Sequence, residues 1–202
     1  MATISFLPGR TRATMSAVRM ATVLAMSALL VIGARAAHAA NPRVNLSITG
    51  KGVITIELYQ KEAPKTVEHF LKLVNEKFYD GILFHRVIKG FMAQTGDPNS
   101  IGVDGSKLRD LSDDQVSATY RLGGGGSGEN IPFEKNKLSN ERGTLAMALS
   151  TPRSATGDSQ FFINFVPNTR LNGDYCVFGK VTSMDAVNKI QQGDRIKSMT
   201  VK

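Results

Sequence analysis

The sequence predicts a mostly β domain, a largely antiparallel sheet of about eight strands accompanied by two helices. Three observations lead there. Short runs of alternating apolar and polar residues recur between Val44 and Val201, which is the period-two pattern of half-buried strands. Only two segments carry the spacing of an amphipathic helix. Strands and helices do not alternate in the βαβ rhythm that marks a parallel sheet. Closing such a sheet into a barrel removes the exposed edges that an open sheet must protect.

The first 39 residues of the 202 stand apart from this pattern. They hold Arg10, Arg12, Arg19 and Arg35 and no acidic residue, then an apolar run over residues 21–33, then Ala37-His38-Ala39. A basic leader, a short apolar run and a small-x-small exit describe a signal peptide cleaved after Ala39. The run is shorter than the roughly 20 residues of a membrane span, so no stable membrane insertion is expected after cleavage. An organelle transit peptide is the alternative, since such leaders are also Arg-rich and acid-poor. Residues 40–202 then form one domain. It carries 21 basic against 17 acidic residues, a net charge of +4 with the signs interspersed. No basic stripe marks it for nucleic acid.

Within that domain, residues 44–49 and 53–58 alternate on either side of Gly50-Lys51-Gly52, a hairpin signal. Pro64 opens a helix, as proline does well in a first turn. Val67, Phe70, Leu71, Val74 and Phe78 line its apolar side, and His69 reads as a surface or boundary histidine. Residues 84–97 form two short strands broken at Lys89-Gly90. Alternation sends Phe84, Arg86 and Ile88 to one face and His85 and Val87 to the other. The pattern dissolves over residues 98–128, an inserted polar loop ending in Gly123-Gly124-Gly125-Gly126-Ser127-Gly128. No Gly-Lys-Ser/Thr follows these glycines, so they predict a flexible or tightly turning loop and no phosphate site. Strands resume at residues 143–149, 159–164, 175–181 and 196–201, with an Asn-Gly turn at Asn172-Gly173. A short helix capped by Ser183 carries Met184, Val187 and Ile190.

Several chemistries lack the residues they need. The domain has two histidines and one cysteine, none at a metal-ligand spacing. Cys176 can form no intrachain disulfide and lies in an apolar strand, where a buried inert thiol is expected. Gly157-Asp158-Ser159 has the look of a hydrolase nucleophile, but no histidine is placed to serve it. No acid pair suggests glycoside chemistry.

The residues do suit one reaction. Phe91, Met92, Arg86 and Gln94 fall within nine positions, enough to grip a small apolar ring beside a fixed cation. The X–Pro amide rotates over a barrier of about 18–20 kcal/mol without bond breaking or cofactor. A guanidinium can donate to the proline nitrogen once twisting has restored its lone pair.

The segment Phe84-His85-Arg86-Val87-Ile88, with Gly90-Phe91-Met92-Ala93-Gln94 and Gly96-Asp97, resembles the signature of the cyclophilins, a family of peptidyl-prolyl cis-trans isomerases. Ser159-Gln160-Phe161-Phe162-Ile163 and Val177-Phe178-Gly179-Lys180-Val181 resemble two further blocks. The resemblance spans about residues 44–201 and looks like the bacterial exported, periplasmic type. It implies a closed eight-stranded antiparallel barrel capped by two α-helices, with the site on its outer face and no cofactor. By the same resemblance Arg86 is the catalytic cation and Gln94 its hydrogen-bonding neighbour. Phe91, Met92, Phe162 and Leu171 form the proline pocket, with Ala148, Leu149 and Gln160 at the substrate backbone or rim. Tyr175 stands where many members carry histidine, Leu149 where many carry asparagine, and Arg170 where many eukaryotic members carry tryptophan. The last departure implies weak cyclosporin binding. The implied partners are proline-containing polypeptides, met by a monomer in the periplasm; secretion or an organelle is the alternative location. The competing function is a non-catalytic proline-peptide binding module or chaperone. Residues 104–121 look inserted relative to compact members and read as a solvated loop.

Overall fold

The computed structural model describes residues 40–202; the proposed signal peptide lies outside the described residues. Eight strands form one antiparallel sheet: β1 (Arg43–Ile48), β2 (Gly52–Leu58), β3 (Arg86–Ile88), β4 (Met92–Thr95), β5 (Thr144–Met147), β6 (Phe161–Asn164), β7 (Val177–Val181) and β8 (Ile196–Val201). Their spatial order is β3-β4-β6-β5-β7-β2-β1-β8. Helix α1 is Pro64–Asn75 and helix α2 is Asp113–Tyr120.

The opening hairpin forms as its alternation requires. Val44, Leu46 and Ile48 on β1 and Ile54, Ile56 and Leu58 on β2 are buried, while the residues between them are not. Helix α1 lays Val67, Phe70 and Val74 into the same interior, with Leu71 and Phe78 partly buried against it and Leu73 buried as well. Phe70, Tyr79, Phe161 and Phe178 meet there with ring centroids 5.2–6.3 Å apart, the tilted and edge-on packing that aromatic quadrupoles favour.

The expected closed barrel is corrected. β3 and β8 share no ladder, so the sheet is curled but open. The two edges approach only at a single antiparallel bridge, Leu83 to Arg195. Around it Phe84 N–H donates to Asp194 O (2.8 Å) and Ile196 N–H to Ile82 O (2.8 Å). The physical reason lies just before β3. Leu83 leaves the barrel interior to join a second apolar cluster with Leu108, Val116 and Leu122, while Phe84 turns inward beside Val87. Ile82, Leu83 and Phe84 alternate, but Phe84 and Val87, three residues apart, both face the core, so the alternation slips between them and the ladder ends there.

That second cluster also corrects the reading of residues 98–128 as a polar loop. The segment is folded. Two short 3-10 turns (Pro98–Ser100 and Gly105–Leu108) lead to α2, whose start carries a capping box between Ser112 and Gln115. Val116 is the one buried residue of α2. The second α-helix thus lies in the insertion and not at Ser183, where only a 3-10 turn, Val187–Lys189, forms.

The glycine run is held at both ends by buried carboxylates. Asp97 accepts from the backbone N–H of Gly123 (2.6 Å) and Gly125 (3.0 Å), and Asp158 from Gly128 N–H (2.9 Å) and the Ser127 hydroxyl. A Cβ at Gly125 would overlap Asp97, and one at Gly126 would overlap Asp158. The glycines let the chain approach these acids closely. His69, expected at the surface or boundary, is buried on α1 with Nε2 3.3 Å from Asp158, so it ties the loop to the helix.

Candidate active site

Strand register builds the site. Arg86 pairs with Gln94, Gln94 with Phe162, Phe162 with Ala146, and Ala146 with Val177. Directly opposed residues share a face, so this row runs across β3, β4, β6, β5 and β7 on the side away from the interior core. Met92, Ala146, Phe162 and Val177 form an apolar cluster there, flanked by Phe91, Ala148, Leu171 and Tyr175. Ala93, Ile163, Leu145 and Phe161, one residue along each strand, point into the main core.

A cavity of about 150 Å³ opens on this outer face. Phe91, Met92, Phe162 and Leu171 wall it with Tyr175, Ala148 and Leu149, and Arg86 and Gln94 stand at its polar edge. Nine of the ten residues expected from the sequence therefore border one cavity. Gln160, the tenth, lines a neighbouring cavity of about 410 Å³ that shares Gln94, Ala148 and Leu149. A space of about 150 Å³ with apolar walls suits one small ring, since cavities of that size admit benzene. Phe162 and Tyr175 meet edge-on at 5.8 Å. The guanidinium of Arg170 lies 4.6 Å over the Phe91 ring, a cation–π contact at the mouth of the slot.

The polar edge differs from the expected arrangement. Arg86 makes no hydrogen bond to the Gln94 side chain. Its Nε donates to Asp113 Oδ2 at 2.6 Å, and Nη1 lies 3.9 Å from Met92 Sδ. Gln94 instead belongs to a relay of amides. Gln160 Nε2 donates to Gly125 O (2.8 Å), and Gln94 Nε2 donates to Gln160 Oε1 (2.9 Å). Both donors are thereby oriented, and among the described residues Gln94 Oε1 has no partner. The pinned glycine loop thus sets the direction in which Gln94 presents its oxygen.

Sequence reasoning missed two supporting groups. Asp113 falls in the segment that the sequence reads as a solvated loop, although Ser112-x-x-Gln115 is a readable helix start. Asn140, Asn164 and Asn168 form a buried amide network. Asn164 Nδ2 reaches Asn140 Oδ1 at 3.2 Å, and Asn168 Nδ2 donates to Asn164 Oδ1 (2.7 Å) and Phe91 O (3.1 Å). It fixes the turn that carries Leu171, whose N–H donates to Asn168 O (2.9 Å). No local signal distinguishes these asparagines from surface ones.

Other groups are inert. The Ser159 hydroxyl is buried and donates to Gly96 O at 2.7 Å, which leaves it unavailable as a nucleophile. Burial pushes the Cys176 thiol up to about 11. His85 is buried, its ring nitrogens have no hydrogen-bond partner among the described residues, and burial lowers it to about 4 against the opposing pull of Asp97.

Comparison with known proteins points to one family. The model of the cyclophilin type peptidyl-prolyl cis-trans isomerase/CLD family matches residues 43–202. A probable peptidyl-prolyl cis-trans isomerase of Brucella suis is 44% identical over 193 residues, covering 93% of this chain and 92% of its own. A peptidyl-prolyl cis-trans isomerase of Helicobacter pylori is 40% identical over 156 residues, 75% of this chain and 82% of its own. Among solved structures, a cyclophilin type peptidyl-prolyl cis-trans isomerase of Cryptosporidium parvum matches with a TM-score of 0.65 at 26% identity, over 80% of this chain and 98% of that one. The same protein in the presence of the dipeptide Ala-Pro matches with a TM-score of 0.64. The chain belongs to the cyclophilin-type peptidyl-prolyl cis-trans isomerases, and its activity is the interconversion of cis and trans X–Pro peptide bonds.

Proposed function

We propose that Arg86 is the catalytic cation of this isomerase and that the 150 Å³ cavity seats the proline ring. The supporting observation is the cross-strand row that places Arg86 and Gln94 at the edge of an apolar slot. The pyrrolidine enters between Phe91, Met92, Phe162 and Leu171. As the imide twists, its nitrogen becomes pyramidal and recovers a lone pair, to which the guanidinium donates. In the planar ground state that lone pair is delocalised, so the interaction strengthens only on the way to the transition state. Gln94, Gln160, Ala148 and Leu149 hold the peptide backbone on either side while Tyr175 borders the slot. The Ala-Pro dipeptide of the Cryptosporidium protein supports proline-containing polypeptides as the ligand class here.

The exported, periplasmic setting rests on the leader of residues 1–39. Its clients would be exported proteins whose X–Pro bonds otherwise isomerise over tens of seconds. The monomeric state is proposed on the family resemblance alone. Arg170 stacked on Phe91 removes the flat indole of many eukaryotic members, and cyclosporin binding is therefore weak.

A protease-coupled assay on an X–Pro–Phe peptide tests the site. Arg86→Ala loses about 10²–10³-fold in kcat/KM, the usual cost of removing a transition-state donor. Arg86→Lys is impaired by about tenfold or more, since an ammonium lacks the planar fork. Wild-type peptide binding without turnover would instead indicate a binding module or chaperone. Full activity in Arg86→Ala would remove Arg86 from the mechanism.

A further inference from the structure

We infer that Asp113, on the inserted helix α2, is a positioning residue that sets the guanidinium of Arg86 for isomerisation. This rests on the assignment of Arg86 as the catalytic cation.

An arginine reaching over a half-exposed slot has many rotamers, and fixing it during the reaction costs entropy. Here two opposite parts of the guanidinium are occupied before substrate arrives: Nε by the Asp113 carboxylate at 2.6 Å and Nη1 beside Met92 Sδ at 3.9 Å. Among the described residues Nη2 has no hydrogen-bond partner. The group is thus held at two points while Nη2 remains as a donor for the docked imide.

The insertion is built to deliver that carboxylate. Asp113 is the first residue of α2, directly after the Ser112 cap. Val116 anchors the helix to Leu83, three residues before Arg86, together with Leu108 and Leu122. A second tie comes from Arg195, whose guanidinium bonds both Gly81 O and Val103 O. A third comes from Gln192, which accepts from Val87 N–H (3.3 Å) and donates to Leu108 O and Leu111 O. The backbone on either side of Arg86 and the start of α2 are therefore fastened to each other.

Stability does not explain the pair. Both side chains are about one-third exposed (34% and 38%), and ion pairs this wet contribute little to folding. Geometry is a more demanding quantity, because a displacement of about 1 Å at a reacting group can cost about 10²-fold. Asp114 sits beside Asp113 in the same first turn without bonding Arg86, and so provides a control for the general effect of an acid at a helix start.

The test measures kcat and KM for an X–Pro–Phe peptide, together with thermal unfolding, in Asp113→Ala, Asp113→Asn, Asp114→Asn and Arg86→Ala, and in the Asp113→Ala/Arg86→Ala double variant. Asp113→Ala is expected to lower kcat about tenfold with KM changed less than about twofold. Asp113→Asn, which keeps an oxygen acceptor in place, recovers to within about threefold of wild type. Asp114→Asn leaves kcat unchanged, and all variants melt close to wild type. The double variant is no slower than Arg86→Ala alone, because Asp113 acts only through that guanidinium. Wild-type kcat in Asp113→Ala, an undiminished further loss on top of Arg86→Ala, or Asp113→Asn no better than Asp113→Ala each overturns the proposal while Arg86→Ala is inactive. If Arg86→Ala is itself fully active, the assignment of Arg86 fails, and the role of Asp113 falls with it.

Discussion

Phe161 and Phe162 are neighbours on one strand and do opposite work. Phe161 points inward, fully buried, edge-on to Phe70, Tyr79 and Phe178. Phe162 points outward to a cluster that stops short of filling its own space and leaves a hole of about 150 Å³. Both faces of β4, β5 and β6 are apolar, so hydrophobicity alone does not separate core from site. What separates them is closure. α1 and the curl of the sheet complete the packing on one side, whereas on the other the chain provides walls and a cation but no plug.

Breaking the inner face should cost most in stability. Phe161→Ala is expected to destabilise by about 3–5 kcal/mol, the range for removing a buried aromatic and leaving a cavity, read by urea unfolding. Any activity loss should follow the unfolded fraction. A cost below about 1 kcal/mol would mean that the aromatic cluster does not carry the fold.

Phe162→Ala sharpens the contrast. Its stability cost should be smaller, about 2 kcal/mol, because one side of the ring already faces an open cavity. Its kcat/KM should fall about tenfold or more in the folded fraction, since the proline loses a wall. Equal effects of the two substitutions on both readouts would erase the distinction between the faces.

His85 lies at the junction, after the irregular turn of Leu83 and Phe84 and before Arg86. Its folded value of about 4, against an ordinary 6.5, comes from burial, opposed by Asp97 and Asp113 and reinforced by Arg86. The unfolded chain therefore binds a proton that the native protein resists. This contribution is fully present above pH 6.5, falls as the pH drops toward 4, and levels off below it. Between pH 7 and pH 5 the loss should be about 2 kcal/mol. His85→Leu should remove that part of the acid limb, measured by urea unfolding at the two pH values. An unchanged slope would show that other groups carry it.

The smallest effect belongs to Cys176, which joins the inner cluster while Tyr175 before it borders the slot. With its thiol buried and raised to about 11, native protein at pH 8 should not react with an aromatic disulfide reagent, and unfolded protein should react at once. Labelling at equal rates in the two states would place this position outside the core.

Much of this was legible from local pattern. The alternation of residues 44–58, Pro64 at the start of α1 and the apolar residues around Arg86 each report a preference set within a few residues, and each formed. The site residues were named through resemblance to a family, and the register then brought nine of them around one cavity. Residues 98–128 were misread because their order depends on distant groups. Asp97 and Asp158 hold a glycine run that looks flexible in isolation, and Leu83 supplies the apolar partner without which Val116 is a lone hydrophobe on a polar helix. His69 reads as a surface or boundary residue for the same reason, since its partner Asp158 is 89 residues away.

By itself the sequence determined the strands, the first helix and the residue types at the reacting edge, because periodicity and turn chemistry are local. Only the tertiary structure decided that the sheet stays open between β3 and β8, that Arg86 is gripped by Asp113 and not by Gln94, and that Gln94 is aimed through Gln160 by a glycine loop. Those outcomes depend on which side chains meet across long stretches of chain, and hydrogen bonds between them form only after packing has fixed their positions.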